Sequence, residues 1–348
     1  MAAASGSGGA VAPEFDLARL DAFLRARVPG LEGAPELARI SGGQSNPTFF
    51  LTYANRRLVL RKKPPGVTLP SAHAVDREAR VLQALAGSEV PVPPVLLFHG
   101  AEDVIGTPFY VMERVEGRVY QTSDLPGAPR AQRHAMVMSF ADTLARLHEV
   151  DWLEAGLADF GRPGNYFARQ VARWTKQWEA QRFREIPDLT RLAAWVGENI
   201  PADDGVTSLV HGDYRLGNVL FHPEEPRVVA VLDWELSTLG HPLADLAYAA
   251  MAWRSAPEEY GGLLGLDLDA LGMPDEAGFL ARYYAARRTP APEMTRFHMA
   301  FAQFRFAVIL EGIAARARSG TAASADALAV GELSKAYAAR GVATIDAG

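Results

Sequence analysis

The chain has 348 residues, 49% of them hydrophobic and 22% charged, with a formal net charge of −6 and no cysteine. Such a length and apolar content suit one large or two medium domains with a sizeable core. The modest negative charge gives no general pull toward nucleic acid, and the lack of cysteine excludes disulfides, thiolate metal sites and cysteine nucleophiles. No run of about eighteen apolar residues is present, so no membrane span is expected.

Residues 1–15 are small and Gly/Ser-rich, without the basic start and apolar run of a secretion signal. A disordered tail and a cytoplasmic location are the expectation. Leu17, Leu20, Phe23 and Leu24 then recur at helical spacing over Asp16–Val28, with Asp16 placed as N-cap. The period changes to that of strands over Glu36–Ile40, Thr48–Tyr53 and Arg57–Lys62, a meander with Asn55 at its second turn. Its first turn, Ser41-Gly42-Gly43-Gln44-Ser45-Asn46-Pro47, has the composition to offer backbone N–H groups to phosphates, although Pro47 removes one donor. On the third strand Val59 and Arg61 share one face, and Leu60 and Lys62 share the other. Ser71–Leu85 reads as a helix with Val75, Ala79, Leu82 and Leu85 along one stripe, and Val95–Phe98 and Phe109–Glu113 complete a five-stranded sheet.

Beyond Gly117 the pattern is mainly helical, over Arg130–Glu149, Phe167–Arg184, Leu189–Ile200, Leu243–Trp253, Glu276–Arg288, Glu293–Arg318 and Ala322–Arg340. His148 is read as a hydrogen bonder at a helix end. The exception to the helices is the stretch Leu209–Ala247, where Asp213 follows His-Gly, Asn218 lies five positions on, and Asp233 ends a second apolar run. A strand pair, Asn218–Phe221 and Val228–Leu232, would bring Asp233 back to the same edge. Two carboxylates and an amide in this order suit phosphoryl transfer, in which the protein holds Mg²⁺ and aims a hydroxyl. Asn218 and Asp233 supply hard oxygen ligands, and Asp213 is left to accept the proton of the attacking hydroxyl. Arg215, two residues past Asp213, is placed to steady charge on the phosphate, or is a solvated loop arginine.

The order His211-Gly212-Asp213, four residues, Asn218, then Asp233-Trp234-Glu235 and Gly240-His241-Pro242-Leu243-Ala244-Asp245 resembles the aminoglycoside phosphotransferase-like (choline kinase-type) family. The resemblance covers nearly the whole chain after the tail. It is closest to the kinase-like domain fused to acyl-CoA dehydrogenases, through Ser41–Phe49, Leu60–Gly66, Arg169–Trp178, Val210–Asn218 and Phe304–Gly320. It implies no dehydrogenase activity for these residues.

It implies an α+β, bilobal protein-kinase-like fold. An N-terminal lobe over residues 16–114 holds a five-stranded antiparallel sheet and a helix, and residues 115–348 form a larger, mainly helical lobe. It further implies ATP and Mg²⁺ as cofactors and a small-molecule hydroxyl acceptor. The triphosphate would be held by Ser41, Gly42, Gly43, Ser45 and Asn46, and by Arg61, preferred here over Lys62, where most such proteins carry lysine. Glu78 would steer Arg61. Backbone groups at Glu113 and Val115 would meet the adenine edge. His211 would brace the catalytic loop and Asp245 would hold it from behind. The basic stretches Arg162–Arg191 and Arg282–Arg318 favour an anionic acceptor, such as an acyl-CoA ester, over a polycationic aminoglycoside. Alternatives are a pseudokinase, suggested by Arg61 and the irregular glycine turn, and an aminoglycoside- or choline-type kinase. A protein kinase is disfavoured by the missing DFG and APE signatures. Neither a nucleic acid nor a membrane partner is expected, and the oligomeric state is not indicated.

Overall fold

A computed structural model describes residues 14–40, 46–64, 74–320 and 326–347. The chain divides into two compact units, one running to Arg118 and taking in 220–223 and 229–237, the other holding the remainder. The sequence reading had placed a single border after Arg114.

In the first unit Asp16 accepts the N–H groups of Ala18 and Arg19 at 2.9 and 3.1 Å, and so caps α1 (Leu17–Arg25). The alternating stretches become β1 (Glu36–Arg39), β2 (Thr48–Thr52), β3 (Arg57–Lys62), β4 (Val95–His99) and β5 (Phe109–Glu113). They form one antiparallel sheet in the order β1-β2-β3-β5-β4. Asn55 ties the β2–β3 turn to the segment after α1, bonding Glu32 N at 3.2 Å and Gly30 O at 2.7 Å. Period-two alternation decides what each face of β3 meets. Leu58 and Leu60 join Leu20, Leu24, Leu51, Phe109 and Val111 in the core shared with α1. Lys62 follows them onto that face, where its ammonium lies 3.3 Å from Glu14. Val59 and Arg61 take the other face, shared with α2 (Val75–Ala84). The start of the helix expected at Ser71 lies outside the described residues.

The second unit contains α3 (Arg130–His148), α4 (Tyr166–Gln181) and α5 (Pro187–Glu198), then β6 (Ser208–Val210). A ribbon follows, of β7 (Val219–Phe221) paired with β8 (Val228–Val231), most of which belongs to the first unit. β9 (Thr238–Gly240), which the sequence reading missed, pairs antiparallel with β6. Next come α6 (Pro242–Ala250), a short α7 (Leu268–Leu271), α8 (Glu276–Ala286), α9 (Arg296–Arg318) and α10 (Ala327–Asp346). All nine residues of α6 are buried, as are most of those of α9. By length and hydropathy alone α9 is apolar enough to cross a membrane, but 89% of its most apolar window is buried, as in a core helix.

Candidate active site

The first unit builds a buried ion cluster on the α2 face of its sheet. Register places Arg61 of β3 opposite Tyr110 of β5. Arg61 Nε lies 2.7 Å from Glu78 Oε2 on α2, and its Nη2 donates to Asp233 Oδ1 at 2.6 Å. Glu78 also accepts Tyr110 Oη at 3.0 Å and Asn46 Nδ2 at 2.5 Å. Burial alone would push the Arg61 guanidinium down, but Glu78, then Tyr110 and Asp233, hold it above its ordinary value. It is the fixed charge of the cluster. Burial pushes the Glu78 carboxyl up against the opposing pull of Arg61.

Asp233 follows β8 with φ 66° and ψ 60°, a left-handed conformation that Asp tolerates better than most side chains. That turn opens a 3₁₀ segment, Trp234–Leu236, anchored by Trp234 Nε1 donating to Val231 O at 3.0 Å. Glu235, to which the sequence assigned no role, has its carboxylate 4.0 Å from Arg61.

Several expectations change here. Ser41, Gly42, Gly43 and Ser45 lie outside the described residues. The Asn46 side-chain nitrogen donates to Glu78. The Glu113 N–H is taken by Pro94 O at 2.9 Å, because β5 is not an edge strand, and its carboxylate accepts Arg56 Nε at 3.0 Å. An adenine contact at Glu113 is thereby restricted to its carbonyl. Val115, two residues past β5, is half-buried.

The second unit holds the catalytic loop on α6. Gly212 turns the chain with φ 84°, and the N–H groups of His211 and Gly212 donate to the two oxygens of Asp245 at 2.6 and 2.9 Å. Burial raises the Asp245 carboxyl; His148, His211 and the Gly212 amide pull the other way and leave it below the usual carboxylate range. Burial depresses His148 against the opposing pull of Asp245, and its Nε2 stands 3.5 Å from that carboxylate, farther than the two amides. His148 Nδ1 lies 2.7 Å from Tyr283 Oη, so this histidine bonds across to α8 rather than capping its own helix. His211, fully buried, accepts the Asp213 N–H at Nδ1 at 3.1 Å, which fixes the neutral ring as the Nε2–H tautomer.

The side chain of Asp213 is 22% exposed. Its Oδ2 accepts Asn218 Nδ2 at 2.7 Å, and its Oδ1 accepts Tyr248 Oη at 2.6 Å. Asn218 donates also to Asp213 O at 2.9 Å, which leaves its carbonyl oxygen as the atom with ligand capacity. Arg215 Nε is 3.5 Å from Asp213 Oδ2, and its guanidinium lies 5.8 Å from the ring of Tyr260. It occupies the space a side chain on Gly217 would need.

Sequence reasoning missed Tyr248, although its place three residues after Asp245 on a helix was a usable signal. It also gave no role to Arg305 on α9. That guanidinium is buried, donates to Gly212 O, and lies 5.4 Å from the rings of both Trp174 and Tyr248.

Beside Asp213 the second unit has a cavity walled by Phe140, Tyr248, Trp253, Tyr260, Phe306 and Tyr337. Among the described residues lining it, Arg215 is the one ionic side chain. In the basic stretches, by contrast, some of the cations are already paired with carboxylates. Arg182, Arg191, Arg282 and Arg287 pair with Glu185, Asp346, Asp142 and Glu149, and Arg184 pairs with both Glu311 and Glu332. These pairs account for part of the charge of those helices, and only the rest bears on the inference of an anionic acceptor.

The profile of the phosphotransferase enzyme family matches residues 36–298. Mouse acyl-CoA dehydrogenase family member 10 is 44% identical over 309 residues, covering 88% of this chain and 29% of the mouse protein. Rat acyl-CoA dehydrogenase family member 11 is 40% identical over 322 residues, 90% of this chain and 41% of its own length. The chain thus spans less than half of these relatives. An aminoglycoside phosphotransferase-like protein of Ralstonia eutropha JMP134 superposes with a TM-score of 0.87 at 44% identity, over 95% of this chain and 98% of that one. The aminoglycoside phosphotransferase APH(4)-Ia, solved with AMP-PNP and hygromycin B, shares the fold at a TM-score of 0.59 and 18% identity, over 92% of this chain and 98% of its own. A five-stranded antiparallel sheet, an HGD loop backed by a helix carboxylate, and these matches together place the chain in the phosphotransferase enzyme family.

Proposed function

We propose that the chain is an ATP-dependent O-phosphotransferase acting on the hydroxyl group of a small molecule. The observation that carries the reading is Asp213: a partly exposed carboxylate on a loop braced by His211 and Asp245, held at both oxygens by neutral donors. A carboxylate offers about four lone-pair positions, and two remain for an acceptor hydroxyl. Asp213 orients that hydroxyl and takes its proton as the O–P bond forms. Arg61, held by Glu78, binds the triphosphate, a task for which its planar fork is suited.

Magnesium prefers hard oxygen donors and keeps several sites for water and phosphate, and the side-chain oxygen of Asn218 and the carboxylate of Asp233 are each donors of that kind. Their assignment rests on their place in the motif and on Asn218 having committed its nitrogen elsewhere. Magnesium there supplies charge neutralisation for the phosphates. The remaining rate comes from positioning and electrostatics.

For the acceptor, the aromatic cavity is the better guide. Among the described residues lining it there is no carboxylate to receive a polycationic aminoglycoside, and the one cation is Arg215. An acceptor with an apolar body and an anionic group suits it, such as a hydroxyacyl-CoA ester. The longer relatives named for acyl-CoA dehydrogenases support the same choice.

A screen of hydroxyl metabolites for acceptor-stimulated ADP release tests the reading, with Asp213→Asn as control. Release that persists in Asp213→Asn removes the assignment of Asp213. The second reading, a nucleotide-binding pseudokinase, draws on the Arg61–Asp233 contact, which occupies the proposed metal ligand with a cation. Magnesium-dependent ATP turnover with any acceptor, water included, eliminates it.

A further inference from the structure

Helix α6 grips three consecutive residues of the catalytic loop from two positions one turn apart. Asp245 takes the amides of His211 and Gly212, and Tyr248, three residues on, reaches the carboxylate of Asp213. Residues i and i+3 lie on one helix face, about 4.5 Å apart along its axis, so a single rigid element sets both contacts. The phenol is fixed in turn. The Arg305 guanidinium lies 5.4 Å from its ring, the Phe306 ring meets it edge-on at 5.9 Å, and Arg305 also donates to Gly212 O. Burial, then the Asp213 charge, push the phenol well above its ordinary value, so Tyr248 is a neutral O–H donor at any working pH.

A carboxylate held only at Oδ2 by Asn218 would still swing about its side-chain bonds. The second bond, at Oδ1, removes that freedom. It is a short hydrogen bond to an ionised acceptor, of the stronger kind. The same ring is a wall of the aromatic cavity beside Asp213.

We infer that Tyr248 is a positioning residue for phosphoryl transfer: its hydroxyl locks the Asp213 carboxylate in the orientation that receives the acceptor hydroxyl, and its ring forms the adjoining cavity wall. This rests on the reading of Asp213 as the group that handles the acceptor proton. No proton passes through Tyr248. It keeps its own hydrogen throughout, and the acceptor proton goes to a free lone pair of Asp213.

The test is Tyr248→Phe, which keeps the ring and the cavity and deletes one oxygen. The probe reaction is ATP hydrolysis with water as acceptor, measured with binding of AMP-PNP and the thermal midpoint. Tyr53→Phe is the control. It removes a phenol–carboxylate bond of the same kind, Tyr53 Oη to Asp21 at 2.9 Å, outside the catalytic loop. We expect Tyr248→Phe to lower kcat about tenfold, the size typical of one lost orienting contact, with AMP-PNP affinity within about twofold of wild type. Tyr53→Phe should shift the midpoint and leave kcat unchanged. A crystal structure of Tyr248→Phe should show the Asp213 carboxylate rotated or in two orientations. Unchanged kcat with an unmoved carboxylate overturns the inference and leaves the proposed function standing. Equal losses of kcat in both variants assign Tyr248 to stability alone and also overturn it. A wild-type chain that turns over no ATP removes the reading of Asp213, and this inference with it.

Discussion

The two charged centres of the molecule are built on opposite principles. In the sheet unit Arg61 is held by carboxylates, Glu78 and Asp233, in a buried ion cluster. In the helical unit Asp213 takes its hydrogen bonds from neutral donors, the amide of Asn218 and the phenol of Tyr248, with the Arg215 guanidinium farther off at 3.5 Å, and Asp245 accepts two backbone amides. Ionic partners can be exchanged when a new charge arrives, and an incoming polyphosphate is such a charge. Neutral donors hold a carboxylate without cancelling it, which suits a group that must meet a hydroxyl unchanged. The sheet unit is arranged to trade partners and the helical unit to stand still.

The largest effect should come from breaking the ionic centre. Glu78→Ala leaves the buried Arg61 with Asp233 and, at 4.0 Å, Glu235, and loss of one partner of a buried pair costs about 3–5 kcal/mol. Urea unfolding of the variant should show that loss; a change under about 1 kcal/mol would mean that the cluster is solvated. Next, Asp213→Ala should lower turnover at least ~10²-fold while AMP-PNP binding stays near wild type. Weakened nucleotide binding would mean that the neutral-donor centre also serves the triphosphate.

The third effect is a pH dependence confined to the helical unit. Burial, then the neighbouring His241, depress His298 to about 4, with the Thr295 amide and Asp204 opposing. A histidine whose folded value lies below its unfolded one binds more protons when unfolded. Its stabilising contribution is therefore full above about pH 6.5 and is lost as pH falls toward 4, by roughly 2–3 kcal/mol. His298 is the N3 residue of the cap on α9, a position where Gln is also favoured. His298→Gln should flatten the midpoint-versus-pH curve between pH 7 and 4, and an unaltered slope would assign it to other groups, His241 first. The smallest effect is Arg61→Lys. A point charge cannot bond Glu78 and Asp233 through two nitrogens, so AMP-PNP should bind several-fold more weakly, by about 1 kcal/mol. Tighter binding would show that the guanidinium hinders the nucleotide.

Local pattern made the sheet unit readable. Alternation put Arg61 and Lys62 on opposite faces without deciding between them, and the structure sends Lys62 to Glu14 and Arg61 to Glu78. The ordered motif likewise located the loop and its backing carboxylate, Asp245. What escaped were contacts between distant segments. Tyr248 reads as one more apolar residue of a buried helix until the loop folds onto it. Arg305 sits in the middle of α9, where a charge is explained only by the rings and carbonyl it meets. The basic stretches were legible only in part, because sequence supplies the sign of a charge and not its partner: Arg184 finds Glu311 and Glu332, more than a hundred residues away. The adenine contact at Glu113 shrank because strand order, not composition, decides which amides are already bonded.

Gly217 has a consequence for anyone diversifying this enzyme. The Arg215 guanidinium fills the space above its Cα, with Gln121 Oε1 3.2 Å from where a methyl group would sit. Positions 215 and 217 are thus epistatic, and a library randomised at 217 alone will return glycine or clones in which the arginine has been evicted. Gly217→Ala is for that reason a way to relocate a charge beside Asp213 without deleting it.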